Sequence, residues 1–441
     1  MGDARTIVFF PEGAYGPTNN CIGIGDVLRR RGHRVVFIVE ESFAGNLEAH
    51  GFEERLMRLG PPPAEPEVPG QFWKDFIRET APEFRKPTIE QLTTFLQPTW
   101  QALIDGATYV ESRLREIFAE VRPDVIVEDN VVAFPAVVTA DAPWVRITSC
   151  NPAELLDDAV PPVFSGYPSD DRSGWEAFRE EYRRTHGPMW EDFDSFVRAA
   201  GAPGLDDDAL GARFIHESPY LNLYLYPAEA DYRRAKPLAP TWHRLDSCVR
   251  STDGSFDLPD HLRAAQGDRD GALIYLSLGS LGAADVELMQ RLVDVLGRTR
   301  HRVIVSKGPQ ADLITLHDNM WGQELVPQPA ILPQVDLVIT HGGNNTTTEC
   351  FHAGKPMIVL PLFWDQYDNA QRVDELGFGR RLATYSFAEN ELTSSIEAVA
   401  RDERLRDRMV AISSRLRAGP GTVRAADLIE RLADTGQPVT T

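Results

Sequence analysis

No apolar stretch in the 441-residue chain approaches the roughly 20 residues that cross a bilayer. The first apolar run, residues 6–10, is short and leads into Pro11. Neither a secretory leader nor a membrane span is expected, and the expectation is a cytoplasmic protein. The opening MGDART fits the myristoylation pattern but lacks a polybasic partner, and is taken as coincidence. Positive charge is scarce: 45 Lys and Arg stand against 66 Asp and Glu, a formal charge of −21. Nucleic acid is excluded as a partner, because phosphate backbones reward Lys and Arg. A small anionic ligand would need local donors, such as N–H groups at a helix start. The four cysteines, Cys21, Cys150, Cys248 and Cys350, form no C-x-x-C pair, so buried thiols are expected rather than a metal or redox centre. Gly13, Gly16, Gly23 and Gly25 never fall into G-x-G-x-x-G spacing, which excludes a nicotinamide cofactor.

What is present describes a globular α/β protein: 42% apolar and 25% charged residues. The length suits two domains of about 200 residues each. Residues 6–10 read as a buried strand, followed by a Gly/Pro/Asn-rich turn to Asn20, a helix to about Arg31, and a strand at 34–39. A further strand, 124–127, has Glu128-Asp129 at its end. The pattern restarts with a strand at 272–278, a helix at 286–296, strands at 302–306 and 335–340, a helix at 346–353 and a strand at 357–360. Alternation of this kind gives two doubly wound domains whose ligands sit at the carboxyl ends of the strands. Residues 1–230 form the first domain, 231–268 a linker and 269–418 the second domain; a terminal helix in 419–441 is expected to pack back on the first. Asp206-Asp207-Asp208 reads as a solvated loop ahead of a short helix, not a metal site.

Chemistry concentrates between Leu325 and Gln366. A strand runs into His341-Gly342-Gly343-Asn344-Asn345-Thr346, where glycines let a ligand approach the backbone and a helix start offers free N–H groups for a diphosphate. Thr346-x-x-Glu349 also fits a capping box, so local physics leaves Glu349 divided between cap and ligand contact. Asp365-Gln366 offers acceptors and an amide, an inventory for gripping vicinal hydroxyls, and equally an ordinary helix start.

Leu325-Val326-Pro327-Gln328, Thr340 to Asn345, Glu349, Gly354-Lys355-Pro356, Pro361 and Asp365-Gln366, in order and at matching spacing, resemble the donor-binding signature of the family-1 UDP-glycosyltransferases. Gly13 to Gly16, Gly32-His33 and Ser277 to Ser280 extend the likeness along the chain. The resemblance implies the GT-B fold, two Rossmann-like domains facing a central cleft, with the acceptor in the first and the donor in the second. Carried over, Val326 meets the uracil through its backbone beside Leu325 and Gln328, and Glu349 accepts from the ribose hydroxyls. Ser280, His341, Gly343, Asn345 and Thr346 hold the diphosphate, and Asp365 and Gln366 the sugar. Glu349 favours UDP over thymidine diphosphate, which lacks the 2′-hydroxyl. Leu325 stands where the family often has Trp.

The implied reaction moves a hexose from a UDP-sugar, such as UDP-glucose, to a hydroxyl of a small natural product: an antibiotic, polyphenol or nucleoside-like acceptor. It proceeds with inversion, without a metal and without a bound cofactor, helix N–H groups and His341 neutralising the leaving group. The family's general base, a histidine after the first strand, falls on Pro17, and residues 1–32 contain no histidine. Asp129 matches that histidine's partner and is the first candidate for the base. Glu128, Glu12, Tyr15, His186, His216 and His243 are alternatives. Tyr15, Asn19, Asn20, Phe72 and Trp73 are candidates for the acceptor site. Two rivals remain: a nucleotide-sugar epimerase of the same fold, and a non-catalytic donor-binding partner protein.

Overall fold

The computed structural model describes residues 4–62, 78–208, 210–251, 254–263, 271–283 and 285–441. The chain forms two compact units: Met1–Gln71 with Lys86–Thr252 and Gly419–Thr441, and Phe72–Arg85 with Asp253–Ala418.

In the first unit, β1 (Thr6–Pro11), β2 (Arg34–Glu40), β3 (Glu53–Met57), β4 (Val125–Asp129) and β5 (Trp144–Thr148) are followed by a small antiparallel pair, β6 (Asp207–Asp208) and β7 (Gly211–Ala212). The acidic run therefore enters a hairpin rather than a loop before a helix. β8 (Leu221–Tyr224) and β9 (Trp242–Arg244) complete the main sheet, whose order is β3-β2-β1-β4-β5-β8-β9. Every neighbouring pair in it is parallel. Such strands are covered on both faces, which is why β1, β2 and β4 appear as continuous apolar runs. Within residues 231–268, β9 is hydrogen-bonded to this sheet, and Trp242 is 5% exposed.

α1 (Tyr15–Arg30) begins earlier than the Gly/Pro/Asn-rich sequence suggests. Pro17 lies in its first turn, where a missing N–H breaks no helical bond. Asn19 and Asn20 are consequently helical residues. α2 (Gln97–Val121) and α3 (Trp175–Ala199) follow. α3 runs through Gly187-Pro188 because Trp175, Phe178, Tyr182, Met189, Phe193 and Val197 form a buried stripe at helical spacing.

The second sheet comprises β10 (Leu273–Ser277), β11 (Arg302–Ser306), β12 (Met320–Gln323), β13 (Leu337–Thr340), β14 (Met357–Val359) and β15 (Gly379–Arg381), in the order β12-β11-β10-β13-β14-β15. All its pairs are parallel. Its main helices are α4 (Val286–Gly297), α5 (Asn344–Ala353), α6 (Gln366–Glu375), α7 (Glu389–Arg401) and α8 (Glu403–Ala418).

The last helix, α9 (Gly421–Thr435), belongs to the first unit. Ala425, Ala426, Ile429 and Leu432 join Ile24, Leu28 and Cys248 in its core. Burying each large aliphatic side chain contributes about 1.5–3 kcal/mol. Arg31 pairs with Asp427 at 2.8 Å and Glu430 at 2.6 Å, and His33 Nε2 lies 2.8 Å from Glu430. Among the described residues no helix is long and apolar enough to cross a membrane.

Candidate active site

Each sheet reverses its strand order next to its first strand, between β1 and β4 in one and between β10 and β13 in the other. Doubly wound sheets open a crevice beyond the strand ends at this point.

In the second unit the crevice is built by the turn from β13 into α5. Gly342 has φ +87°, and a Cβ there would lie 2.6 Å from Val359 Cγ1, so the turn admits only glycine. The His341 ring lies over bare backbone: a Cβ on Gly343 would approach its Nε2 to 2.6 Å, and one on Gly279 to 2.8 Å. Burial pushes the His341 imidazole down to about 4, against the opposing hydrogen bond to the Ser277 backbone. It is therefore neutral at pH 7, and its single N–H is already given to the Ser277 carbonyl, so the diphosphate donor expected of His341 is committed within the protein. Gly343 is the N-cap of α5, and the N–H groups of the first helical turn have no acceptor within the helix. Ser280 lies in the short helical turn Gly279–Gly282 after β10; its side chain is outside the described residues.

The capping box is not formed. Thr346 is the third residue of α5 rather than its cap, and Glu349 lies one turn further in, 2% exposed. Its Oε2 accepts from Gln328 Nε2 at 2.6 Å and its Oε1 from Asn345 Nδ2 at 3.1 Å. Gln328 Nε2 also lies 3.3 Å from Thr346 Oγ1, while Gln328 Oε1 accepts from Tyr275 at 3.0 Å. Four sequence candidates thus share one network, to which Tyr275 is an addition that no local pattern marks. The carboxylate is thus fixed in place by two side-chain amides. Val326 O accepts from Gln328 N at 2.8 Å, and Leu325 is 65% exposed, an apolar side chain open to a planar base.

The turn that carries Asp365 and Gln366 is strained, since Trp364 has φ +59°. A bulky residue held there costs of order 1–3 kcal/mol and persists only where its surroundings determine it. Gln366 Oε1 accepts from Leu362 N at 3.0 Å and Phe363 N at 3.3 Å, so its side-chain carbonyl is committed to the turn. Asn369 Nδ2 donates to Gly342 O at 2.9 Å and lies 3.4 Å from Asp365 Oδ2, joining the two turns. A further anchor comes from far away in sequence. Phe84 packs on Phe363 with ring centroids 5.0 Å apart, and the Tyr367 hydroxyl lies 3.3 Å from Phe84 O.

In the first unit Asp129 ends β4 and is 3% exposed. Its Oδ2 accepts from Ser149 Oγ at 2.6 Å, and Asn20 Nδ2 donates to Ser149 Oγ at 2.9 Å. Burial pushes the Asp129 carboxyl up to about 8; the Ser149 hydrogen bond opposes this, and the negative field of Glu12 adds to it. Glu128, 1% exposed, is also pushed up to about 8 by burial, partly offset by Arg146. It is paired in register with Arg146 on β5. The alternative histidines are occupied structurally. His186 is fully buried and stacks on Tyr182 at 4.2 Å; His216 lies 2.9 Å from Pro203 O and His243 3.0 Å from Val439 O. Tyr15 is 49% exposed at the start of α1, Asn19 is half-buried, and Phe72 and Trp73 lie outside the described residues. Among the described residues no group of three or more His, Cys, Asp or Glu could hold a metal ion.

Known proteins share this architecture. Residues 290–432 match the family model of the erythromycin biosynthesis protein CIII-like C-terminal domain. The oleandomycin glycosyltransferase of Streptomyces antibioticus is 28% identical over 96% of this chain and 90% of the relative. The crystal structure of the glycotransferase of kitacinnamycin superposes with a TM-score of 0.68 at 24% identity, over 98% of this chain and 99% of that one. The glycosyltransferase VinC in complex with DTDP does so with a TM-score of 0.63 at 17% identity, over 97% of this chain and 99% of that one. Beside the glycine turn at the head of α5 and its network through Glu349, these matches show the GT-B fold and support a glycosyltransferase of the natural-product type.

Proposed function

We propose that the enzyme transfers a hexose from a UDP-sugar to a hydroxyl of a small natural product, in one inverting displacement without a metal ion. The observation that carries this reading is the buried Glu349 carboxylate, presented one helical turn beyond the glycine turn and held by Gln328 and Asn345. That spacing suits a ribose whose diphosphate lies against the N–H groups of α5. Asp365 and the amide nitrogen of Gln366 take the sugar hydroxyls. The leaving diphosphate is stabilised by the oriented N–H dipoles at the start of α5, donors already in place when charge develops. Asp129 acts as the base, and the acceptor belongs to the first unit, with Tyr15 and Asn19 beside it. The oleandomycin glycosyltransferase relative supports an antibiotic-like hydroxylated acceptor.

The test is turnover with UDP-glucose and TDP-glucose over a panel of hydroxylated acceptors, following nucleotide release and product mass. UDP-glucose is expected to be the better donor. Equal use of the two would remove Glu349 from ribose recognition, and donor binding without any product would point to a non-catalytic donor-binding protein.

A further inference from the structure

The base position left empty by Pro17 has a replacement from another strand. Asp129 is nearly sealed from solvent, so a bulky acceptor reaches its carboxylate poorly, whereas Ser149, just beyond the end of β5, is only half-buried. The hydrogen bonds around Ser149 have a defined direction. Asn20 Nδ2 donates to Oγ at 2.9 Å, so the serine proton is directed to Asp129 Oδ2, 2.6 Å away. One lone pair of Oγ remains for an incoming hydroxyl. The orientation of Asn20 follows from the same logic: with its amide reversed, its carbonyl oxygen would face a hydroxyl whose proton is already committed. Its Oδ1, buried with the residue at 1% exposure, accepts no hydrogen bond among the described residues.

We propose that Ser149 is a catalytic residue that relays the acceptor's proton to Asp129, with Asn20 as its positioning residue. As the acceptor oxygen attacks the anomeric carbon, its proton moves to Ser149 Oγ and the serine proton moves to Asp129 Oδ2. The bond from the anomeric carbon to the diphosphate oxygen breaks, and its electron pair leaves with the nucleoside diphosphate. Serine is regenerated and Asp129 ends protonated. This deepens the functional reading above and rests on its assignment of Asp129 as the base.

The titratable groups around Asp129 are Glu12 before α1, Cys21 on α1, Glu128 on β4, Glu154 after β5 and Cys248 after β9. The cation in this cluster, Arg146 on β5, is directed to Glu154 at 2.6 Å and offsets Glu128, so the Asp129 carboxyl stays raised and the relay is most effective above the neutral range, where it ionises.

The experiment uses the full-length enzyme, UDP-glucose and an acceptor found on the panel. Ser149→Ala is expected to lower kcat about a hundredfold, within the range of general-base catalysis, leaving UDP affinity and Tm unchanged. Ser149→Thr keeps the hydroxyl and is expected to recover to within tenfold of the parent. The rate in mixtures of light and heavy water should curve with deuterium fraction in the parent, two protons being in motion, and become linear in Ser149→Ala. The relay is overturned by a Ser149→Ala enzyme within threefold of the parent, by a linear dependence in the parent, by a threonine variant no better than alanine, or by loss of UDP affinity or Tm in step with kcat. Asp129→Asn separates the two levels. If it is inactive while Ser149→Ala is not, the relay falls and the base stands; if both retain activity, both assignments fall.

Discussion

The two sheets reverse strand order at equivalent points and use opposite chemistry there. Beyond β10 and β13 the chain offers bare glycines and helix N–H groups beside a neutral histidine, a surface of backbone donors. Beyond β1 and β4 it offers Glu12, Glu128 and Asp129, the latter two buried carboxyls held well above their usual range. On the function proposed above, the same topology serves as an anion cradle in one unit and a proton acceptor in the other. Topology places a crevice; side chains at the strand ends decide which charge it favours. In a chain of formal charge −21, the donor cradle is a local exception built from backbone.

The comparison breaks most sharply at Asp129. Asp129→Asn is expected to reduce turnover by roughly 10²-fold or more while UDP binding, a property of the other unit, stays unchanged in a fluorescence titration. The parent rate should climb with pH toward a plateau above about 8, where the carboxyl ionises. Stability should move the other way. A carboxyl with its pKa raised on folding binds more protons folded than unfolded between about 4 and 8. Its contribution is present at low pH and lost as pH rises through that window, so Asp129→Asn should melt above the parent at pH 8.

A stability effect of similar size is expected from α9. Ile429→Ala removes a fully buried side chain from the first unit's core and should cost about 2–5 kcal/mol, read by denaturant melts. UDP binding by the second unit should persist at temperatures where the parent is folded. A loss of UDP affinity would show the two units to be less independent than their separate cores suggest.

Smaller effects sharpen the donor side. Glu349→Ala should weaken UDP binding by roughly 10- to 100-fold, in keeping with the 1.5–3 kcal/mol of a charged hydrogen bond, and abolish discrimination against TDP. Phe84→Ala should raise the KM for the donor sugar severalfold with UDP affinity unchanged, since Phe84 packs on the strained turn rather than on the nucleotide network. The smallest change is Leu325→Trp. A stacked indole adds about 0.5–1.5 kcal/mol over an aliphatic contact and should tighten UDP binding a few fold.

Legibility in the sequence followed the range of the interactions. β1, β2, β4 and β10 were readable because a doubly covered parallel strand is an unbroken apolar run. The glycine turn was readable because strand, turn and helix start are contiguous. Readings failed where partners are distant. Pro17 looks like a turn residue yet sits in the first turn of α1. β9 has the polar sequence Trp-His-Arg and joins the sheet through β8 rather than through its own pattern. Tyr275, Asn369, Phe84 and Ser149 carried no local signal, each being an ordinary residue given its role by a contact across the fold.

By itself the sequence determined the α/β architecture and the position of the glycine turn at a helix start, because both rest on backbone periodicity and on residues within one turn of each other. It also established that the usual histidine is missing after the first strand. Only the tertiary structure decided what stands near the empty position, because Ser149 and Asp129 are brought to 2.6 Å by the pairing of β4 with β5. Proton affinity at Asp129 is set by burial, by the opposing Ser149 hydrogen bond and by the neighbouring carboxyls of Glu12 and Glu154, quantities that exist only once the sheet is folded.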